Sequence, residues 1–197
     1  MFKLLIGVVV LVGIIGAAVF ALGVANFHQF EEVRHEVAPL QPQPQRIAPP
    51  PENPGEAKEA APDFEMLDRD GQPVRLSDMI GAPIILNFWA SWCPSCRQEG
   101  PYFDEVYAEF GEQVQFVMLN LTDGGRETKE SALAYIQGQG YGFPVFFDTA
   151  MTGATAWGVQ FIPMTVLIDE NGYIVHRHQG SMNRQALHQV IEMVTGG

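Results

Sequence analysis

The sequence contains only two cysteines, Cys93 and Cys96, among its 197 residues. Two thiols are too few for a four-cysteine metal site or for a framework of several disulfides. Basic residues are also scarce, because 11 Lys and Arg stand against 23 Asp and Glu and give a formal net charge of −12. This acidic balance argues against nucleic acid and against anionic lipid headgroups as partners. The sequence also lacks the glycine fingerprint of a dinucleotide-binding fold, and we predict no cofactor.

One stretch near the amino terminus is almost wholly apolar. Residues 4–25 contain no charged side chain, and about 20 such residues span a bilayer as a helix. We predict an uncleaved transmembrane anchor over residues 4–25, because the apolar stretch of a cleaved signal peptide is usually shorter. The small residues Gly23, Val24 and Ala25 leave signal-peptide cleavage open as the alternative. Lys3 favours a cytoplasmic amino terminus, which places the remaining chain outside the cytoplasm, in the periplasm or on the outer face of the cell membrane.

Proline marks the segment that comes before the globular part of the chain. Residues 38–62 contain eight of the fourteen prolines, and this composition favours an extended linker over a packed core. We therefore predict a Pro-rich linker over residues 38–62 and a globular domain over residues 63–197. The domain carries most of the acidity, with 17 Asp and Glu against 7 Lys and Arg.

Short apolar runs alternate with helical patterns within the domain. Asn171 and Gly172 separate two such runs and give the strongest short signal for a β-hairpin. Ser77 is predicted to cap a short helical turn, and Asn183 is predicted to cap the last helix. This order predicts an α/β fold in which helices cover both faces of a mixed sheet. The predicted strands lie at residues 64–67, near Val74, and at 84–90, 114–119, 144–147, 165–168 and 173–176, and the predicted helices begin at the cysteine pair, near Glu127 and after Asn183.

The two cysteines lie three apart, in Trp92-Cys93-Pro94-Ser95-Cys96, between a predicted buried strand and a predicted helix. Free N–H groups at a helix start stabilise a thiolate, which is the nucleophile in thiol–disulfide exchange. We predict that Cys93 is the exposed nucleophile and that Cys96, one turn later, resolves the mixed disulfide. Trp92 is predicted to shield Cys93 and to contact the substrate. A structural disulfide is the alternative, although so small a loop adds little stability through chain entropy.

Four segments carry a resemblance to a known family. They read APDF from Ala61, LSD from Leu76, NFWASWCPSCRQE from Asn87 and GVQFIPMTVLID from Gly158. Together they resemble the thioredoxin superfamily, and most closely the membrane-anchored TlpA/ResA/CcmG branch of extracytoplasmic thiol–disulfide oxidoreductases. The resemblance covers residues 61 to about 194 and implies a thioredoxin-like sheet flanked by helices. It also implies that the bond before Pro163 is cis and faces the cysteines, and that the Ile162 backbone binds an extended substrate strand beside Cys93.

The resemblance also assigns a role to one acidic residue. Thioredoxin itself has a buried aspartate where this chain has Asn87, and an amide cannot act as an acid or a base. In the TlpA/ResA/CcmG branch a glutamate three residues after the second cysteine takes part instead, and Glu99 matches it. Burial raises the pKa of a carboxyl group, and we expect Glu99 to shuttle the proton of Cys96. Relatives commonly carry threonine at the position of Met164, whose bulk is expected to alter the partner groove.

These observations predict an enzyme: a membrane-tethered thiol–disulfide oxidoreductase that reduces disulfides of protein substrates outside the cytoplasm. Family members serve cytochrome c maturation or general disulfide reduction, and the sequence does not choose between them. The electrons are expected to come from a membrane donor, because the chain lacks a nucleotide site of its own.

Three other functions remain as alternatives. A tethered binding module would hold an apoprotein strand at the Pro163 groove, with redox chemistry incidental. A peroxide-reducing relative would want a threonine where Ala90 stands. A copper or zinc carrier would need a histidine at the cysteines; His176 and His178 share one strand face, but with no acid or thiol nearby we predict no metal site.

Overall fold

Seven strands form one mixed sheet in the computed structural model, which describes residues 58–196. The strands are β1 Glu65–Leu67, β2 Pro73–Arg75, β3 Ile84–Trp89, β4 Gln115–Asn120, β5 Val145–Phe147, β6 Met164–Ile168 and β7 Ile174–Gln179. Their order across the sheet is β2-β1-β5-β4-β3-β6-β7. Strands β3, β4 and β5 are parallel, and the outer strands join them antiparallel. The predicted mixed α/β sheet is confirmed.

Four α-helices and one 3-10 turn accompany the sheet. The helices are α1 Pro94–Phe110, α2 Lys129–Gln139, α3 Thr152–Ala156 and α4 Arg184–Thr195, and the 3-10 turn is Leu76–Met79. Helix α3 was missed by sequence reasoning, because five residues are too few to show an apolar stripe. Over residues 58–196 no helix is both long and apolar enough to cross a bilayer. The predicted anchor over residues 4–25 lies outside the described residues.

Strand β3 lies at the centre of the sheet and separates two apolar cores. All six of its residues are buried, and they alternate between the two faces because strand side chains have a period of two. On one face Ile85 and Trp89 pack with residues of α1, α2 and α4, such as Phe103. On the other face Phe88 packs against Trp157, which follows α3. The strand that precedes the cysteines is therefore held from both sides.

Local signals in the sequence fix several element ends. Asn171 and Gly172 form the turn between β6 and β7, where Gly172 has a φ of 84°, and this confirms the predicted hairpin. The side chain of Asn183 accepts a hydrogen bond from the N–H of Ala186 at 2.9 Å, which confirms the predicted cap of α4. The predicted capping role of Ser77 is wrong. The 3-10 turn begins one residue earlier, and the N–H of Ser77 donates to the Asp63 carboxylate.

The described chain makes contacts before Asp63, where the sequence places the start of the domain. Ala60 forms an isolated β-bridge with Tyr173, and the Lys58 ammonium lies 3.0 Å from the Asp169 carboxylate. These residues therefore pack on the β6–β7 hairpin. The part of the predicted linker before Lys58 lies outside the described residues.

Candidate active site

Cys93 lies at the N-cap of α1, directly after the turn that leaves β3. Cys93 and Cys96 form a disulfide. The N–H of Cys96 points at the Cys93 sulfur at 3.2 Å. Pro94 occupies the first helical position, where the N–H that proline lacks would have no partner within the helix. The Cys93 sulfur therefore lies where the unpaired N–H groups and the dipole of α1 favour negative charge.

The two sulfurs face different surroundings in this disulfide form. Cys93 is 4% exposed and Cys96 is 5% exposed, so the prediction of an exposed Cys93 is wrong for the disulfide. The cause is the neighbouring loop, because the carbonyl oxygen of Ile162 lies 3.7 Å from the Cys93 sulfur. Cys96 instead lines an internal cavity. Cys93 is thus the sulfur on the side of the loop, and Cys96 is the sulfur on the side of the core.

The loop that covers Cys93 is tied to the edge strand β7. The peptide bond between Ile162 and Pro163 is cis, as predicted. The Gln179 side-chain amide donates to the carbonyl oxygens of Phe161, at 2.7 Å, and of Pro163, at 3.0 Å. Phe161, which sequence reasoning missed, is 71% exposed and directly precedes Ile162. The loop therefore presents an apolar ring to solvent beside the covered sulfur.

Glu99 is a buried carboxyl group on α1, only 2% exposed. Its two oxygens accept hydrogen bonds from the Asn87 amide at 2.9 Å and from the N–H of Met182 at 3.0 Å. The same Asn87 amide also donates to the Thr165 hydroxyl at 3.1 Å. Burial raises the pKa of Glu99 to about 7, and the two hydrogen bonds oppose that rise. Glu99 can therefore gain or lose a proton near neutral pH.

A small cavity of about 10 Å³ brings Glu99 and Cys96 together. Asn87, Trp89 and Tyr141 also line it. Its volume is close to the smallest space that holds one water molecule. Glu99 and Cys96 thus line the same small cavity, which is consistent with proton exchange between them through a water molecule.

A second buried carboxylate, which sequence reasoning missed, holds the turn before Cys93. Glu127 accepts hydrogen bonds from the Ser91 N–H at 3.0 Å, from the Ser91 hydroxyl at 2.8 Å and from the Asn120 amide at 2.8 Å. Beside it, the Arg126 guanidinium lies 3.5 Å from the centre of the Trp92 ring. Glu127 follows a glycine-rich loop far from the cysteines in sequence, so no local pattern marked it.

The remaining predicted features lie away from the cysteines. The rings of His176 and His178 lie nearly parallel, with centroids 6.5 Å apart, on β7. Within residues 58–196 no group of three or more His, Cys, Asp or Glu side chains is placed to hold a metal ion. Met164 packs in the second core, against the face that carries Phe88. Ile162 packs against the same core, so the expectation that the bulk of Met164 alters the partner groove stays a prediction.

Comparison with known proteins identifies the relatives of this chain. Residues 57–177 match the AhpC/TSA family. The chain is 31% identical over 139 residues to the thiol-disulfide oxidoreductase ResA of Halalkalibacterium halodurans, an alignment that covers 70% of this chain and 77% of that protein.

Two crystal structures show the same fold. One belongs to a protein assigned as the thiol:disulfide interchange protein DsbE of Chlorobium tepidum, with 32% identity, a TM-score of 0.63 and coverage of 71% of this chain and 97% of that one. The other is the exposed lipoprotein thioredoxin Etrx1 of Streptococcus pneumoniae, with 31% identity, a TM-score of 0.59 and coverage of 67% and 99%.

The burial of Glu99 predicts a specific pH dependence of stability. The pKa of Glu99 is raised to about 7 in the folded chain, whereas an unfolded glutamate titrates near about 4.3. The stability that this group contributes is therefore fully present below about pH 4.3 and is lost as the pH rises through about 7, by roughly 4 kcal/mol. Glu99→Gln should remove this loss. Urea unfolding of the oxidised full-length chain across this pH range measures it.

Glu112→Gln is the matched control, because Glu112 is an exposed residue just beyond the end of α1 and its loss changes the net charge equally. This variant should retain the pH dependence of the original chain. If the free energy of unfolding of Glu99→Gln fell with pH as much as that of the original chain, the assignment of this pH dependence to Glu99 would be contradicted.

Proposed function

Because the chain belongs to the AhpC/TSA family and is a thiol–disulfide oxidoreductase similar to the ResA proteins, we propose that it reduces disulfides of other proteins outside the cytoplasm. One observation carries the proposal. The only two cysteines of the chain form a disulfide at the start of α1, with a carboxyl group of raised pKa on the inner side of the pair. A disulfide that only stabilised the fold would not need that carboxyl group.

The proposed reaction is a two-electron exchange. The thiolate of reduced Cys93 attacks a partner disulfide, which forms a mixed disulfide and releases the first partner thiol. Glu99 takes the proton of Cys96, and the Cys96 thiolate then attacks the Cys93 sulfur and releases the second partner thiol. The partner gains two electrons and two protons, and the chain returns to the Cys93–Cys96 disulfide.

The surroundings of Cys93 suggest where the partner binds. In this proposal an extended partner strand lies along the backbone of Ile162 and Pro163, beside Cys93, and Trp92 contacts it from the other side. Support comes from the 3.7 Å approach of the Ile162 carbonyl to the Cys93 sulfur and from the exposure of Trp92. The covering loop must yield to the partner strand before the sulfurs react.

The location and the electron source are part of the proposal. The apolar residues 4–25 support a membrane anchor. The Pro-rich residues before Lys58, from residue 38 onward, support a linker that extends the domain away from the bilayer. The similarity to an exposed lipoprotein thioredoxin agrees with an extracytoplasmic position. A membrane donor would then reduce the Cys93–Cys96 disulfide after each turnover, and cytochrome c maturation is one process that this reaction would serve.

A tethered binding module is the second candidate function. The observation that favours it is Phe161, an apolar ring that is 71% exposed beside Ile162, since an exposed aromatic side chain at a groove indicates a docking surface. A double serine variant of Cys93 and Cys96 separates the two candidates. Full cellular function of that variant would support the binding module and contradict the reductase.

Single cysteine variants should distinguish the attacking sulfur from the resolving one. Cys93→Ser should lower insulin reduction to the rate without protein, because Cys96 faces the internal cavity. Cys96→Ser should instead accumulate a mixed disulfide between Cys93 and the partner, because nothing releases it. Gel electrophoresis without reductant and mass spectrometry measure the mixed disulfide. Ser95→Ala is the control, since it keeps both sulfurs; equal insulin reduction by Cys93→Ser and the original chain would contradict the mechanism.

The direction of electron flow is tested by the reduction potential of the pair. A reductase should have a potential at the reducing end of known thiol systems, near about −270 mV, whereas a strong oxidant lies near about −120 mV. Equilibration of the full-length chain with dithiothreitol buffers, followed by thiol trapping, gives the value. A potential near the oxidising end would reverse the proposed role.

A further inference from the structure

Resting on the proposed reductase function, we propose that Arg97 and Arg126 select protein disulfides whose cysteines are flanked by Asp or Glu. The two guanidinium groups form a cationic rim, defined as Arg97 and Arg126, beside the cysteine pair of an acidic domain. The inference names the chemical class of the substrate, which the family resemblance leaves open.

The charge pattern around the cysteines differs from that of the remaining domain. Most acidic residues of the chain lie in residues 63–197. Within residues 58–196, four basic residues pair with carboxylates within 4 Å: Lys58, Arg75, Arg177 and Arg184. Arg69, Lys129, Arg97 and Arg126 make no such pair in that part of the chain. Of these four, Arg97 directly follows Cys96 and Arg126 contacts the Trp92 ring. The domain thus leaves two guanidinium groups without an ion pair beside the cysteine segment.

Arg126 is held in position by its neighbours along the chain. The Asp123 carboxylate accepts hydrogen bonds from the N–H groups of Gly125 and Glu127, at 2.8 and 2.9 Å. The buried Glu127 carboxylate in turn binds Ser91, two residues before Cys93. The loop that carries Arg126 is therefore attached to the turn that carries the nucleophile, and little side-chain freedom is lost when a partner binds.

The guanidinium of Arg126 is free to bind an anion although it contacts Trp92. It stacks on the ring with its centre 3.5 Å from the ring centroid, and stacking uses the flat face while the N–H groups point outward in the plane. Over residues 58–196 the Arg126 side chain donates no hydrogen bond to the protein. Five donors in a fork geometry suit a carboxylate, which they bind through two parallel hydrogen bonds.

Arg97 extends the cationic rim along α1. It directly follows Cys96, and its guanidinium lies 5.2 Å from the centre of the Tyr135 ring. Both arginines are exposed. Of the acidic residues nearest in the chain, Glu99 and Glu127 are buried and hydrogen-bonded. The exposed Asp123 carboxylate accepts from two N–H groups and also interacts electrostatically with Arg126. A partner that approaches the sulfurs therefore meets the two guanidinium groups of the rim together with the single carboxylate of Asp123.

The cationic rim is expected to change the rate at which the partner associates. A rim charge chiefly changes the association rate and its salt dependence. Carboxylates beside the partner disulfide are attracted to Arg97 and Arg126, whereas lysines are repelled. The exchange itself is unchanged: the partner disulfide takes two electrons from the sulfurs of Cys93 and Cys96, and the chain ends as the disulfide. The two partner thiolates are protonated by one proton from water and by the proton that Glu99 took from Cys96.

The test compares three synthetic peptides that each carry one internal disulfide, with the cysteines flanked by Glu, Gln or Lys. The fully reduced full-length chain, held in uncharged detergent, reacts with each peptide in a single turnover, so that no further reductant is needed. Each rate is divided by the rate of the same peptide with dithiothreitol, which removes the effect of the flanking charge on the peptide's own sulfur chemistry. We expect the Glu peptide to react about tenfold faster than the Lys peptide.

Arginine variants assign this preference to the cationic rim. Arg126→Gln and Arg97→Gln should each lower the Glu-to-Lys ratio about threefold, while Arg126→Lys should retain most of it because the charge remains. Arg69→Gln is the matched control. Arg69 is an exposed arginine in the β1–β2 turn, where it lines a surface cavity that neither cysteine lines. This variant should leave the ratio unchanged.

Salt provides an independent readout. At about 1 M salt the screening length falls to about 3 Å, and the ratio of the Glu-peptide rate to the Lys-peptide rate should approach one. Equal normalised rates for the three peptides, or a ratio that Arg126→Gln and Arg97→Gln leave unchanged, would overturn the inference while the reductase function stands. Failure of the reduced chain to react with any peptide would overturn the proposed function, and the inference with it.

Discussion

The chemistry of this protein depends on how the turn of residues 90–93 joins the end of β3 to the start of α1. Strand β3 is buried on both faces, so the point at which the chain leaves the sheet is fixed. Glu127 binds the backbone and the hydroxyl of Ser91, which fixes the next step of the chain. Cys93 then falls at the N-cap of α1, where helix N–H groups favour a thiolate. Together these constraints determine where the Cys93 sulfur lies.

The fold also buries the carboxyl group of Glu99 behind the cysteines, which is unfavourable when that group is charged. A carboxyl group with only neutral partners, the Asn87 amide and the Met182 N–H, is poorly solvated when charged. Its raised pKa means that the fold is less stable at neutral pH than it would be with a neutral side chain there. Perturbed titratable groups of this kind cluster at functional sites. We infer that Glu99 is kept for the proton that Cys96 must release.

Features with a local signal were predictable from the sequence, and features that join distant segments were not. The strand before the cysteines, the Asn171–Gly172 hairpin and the Asn183 cap follow from apolar runs and short-range hydrogen bonds. The contact of Glu127 with Ser91 joins residues 36 apart in the chain. No sequence pattern in the loop before Glu127 predicts this contact. The family resemblance did predict the Ile162 backbone beside Cys93, but not that the Ile162 carbonyl covers the sulfur in the disulfide form.

The central claim is that the Cys93 sulfur ionises readily once the disulfide is opened. The most direct measurement is the rate of iodoacetamide alkylation as a function of pH, in the reduced full-length Cys96→Ser variant, where Cys93 is the only thiol. The account predicts a pKa for Cys93 clearly below the value of about 8.5 that is usual for a free thiol. A pKa at or above that value, or a Cys93 that resists alkylation at neutral pH, would contradict it.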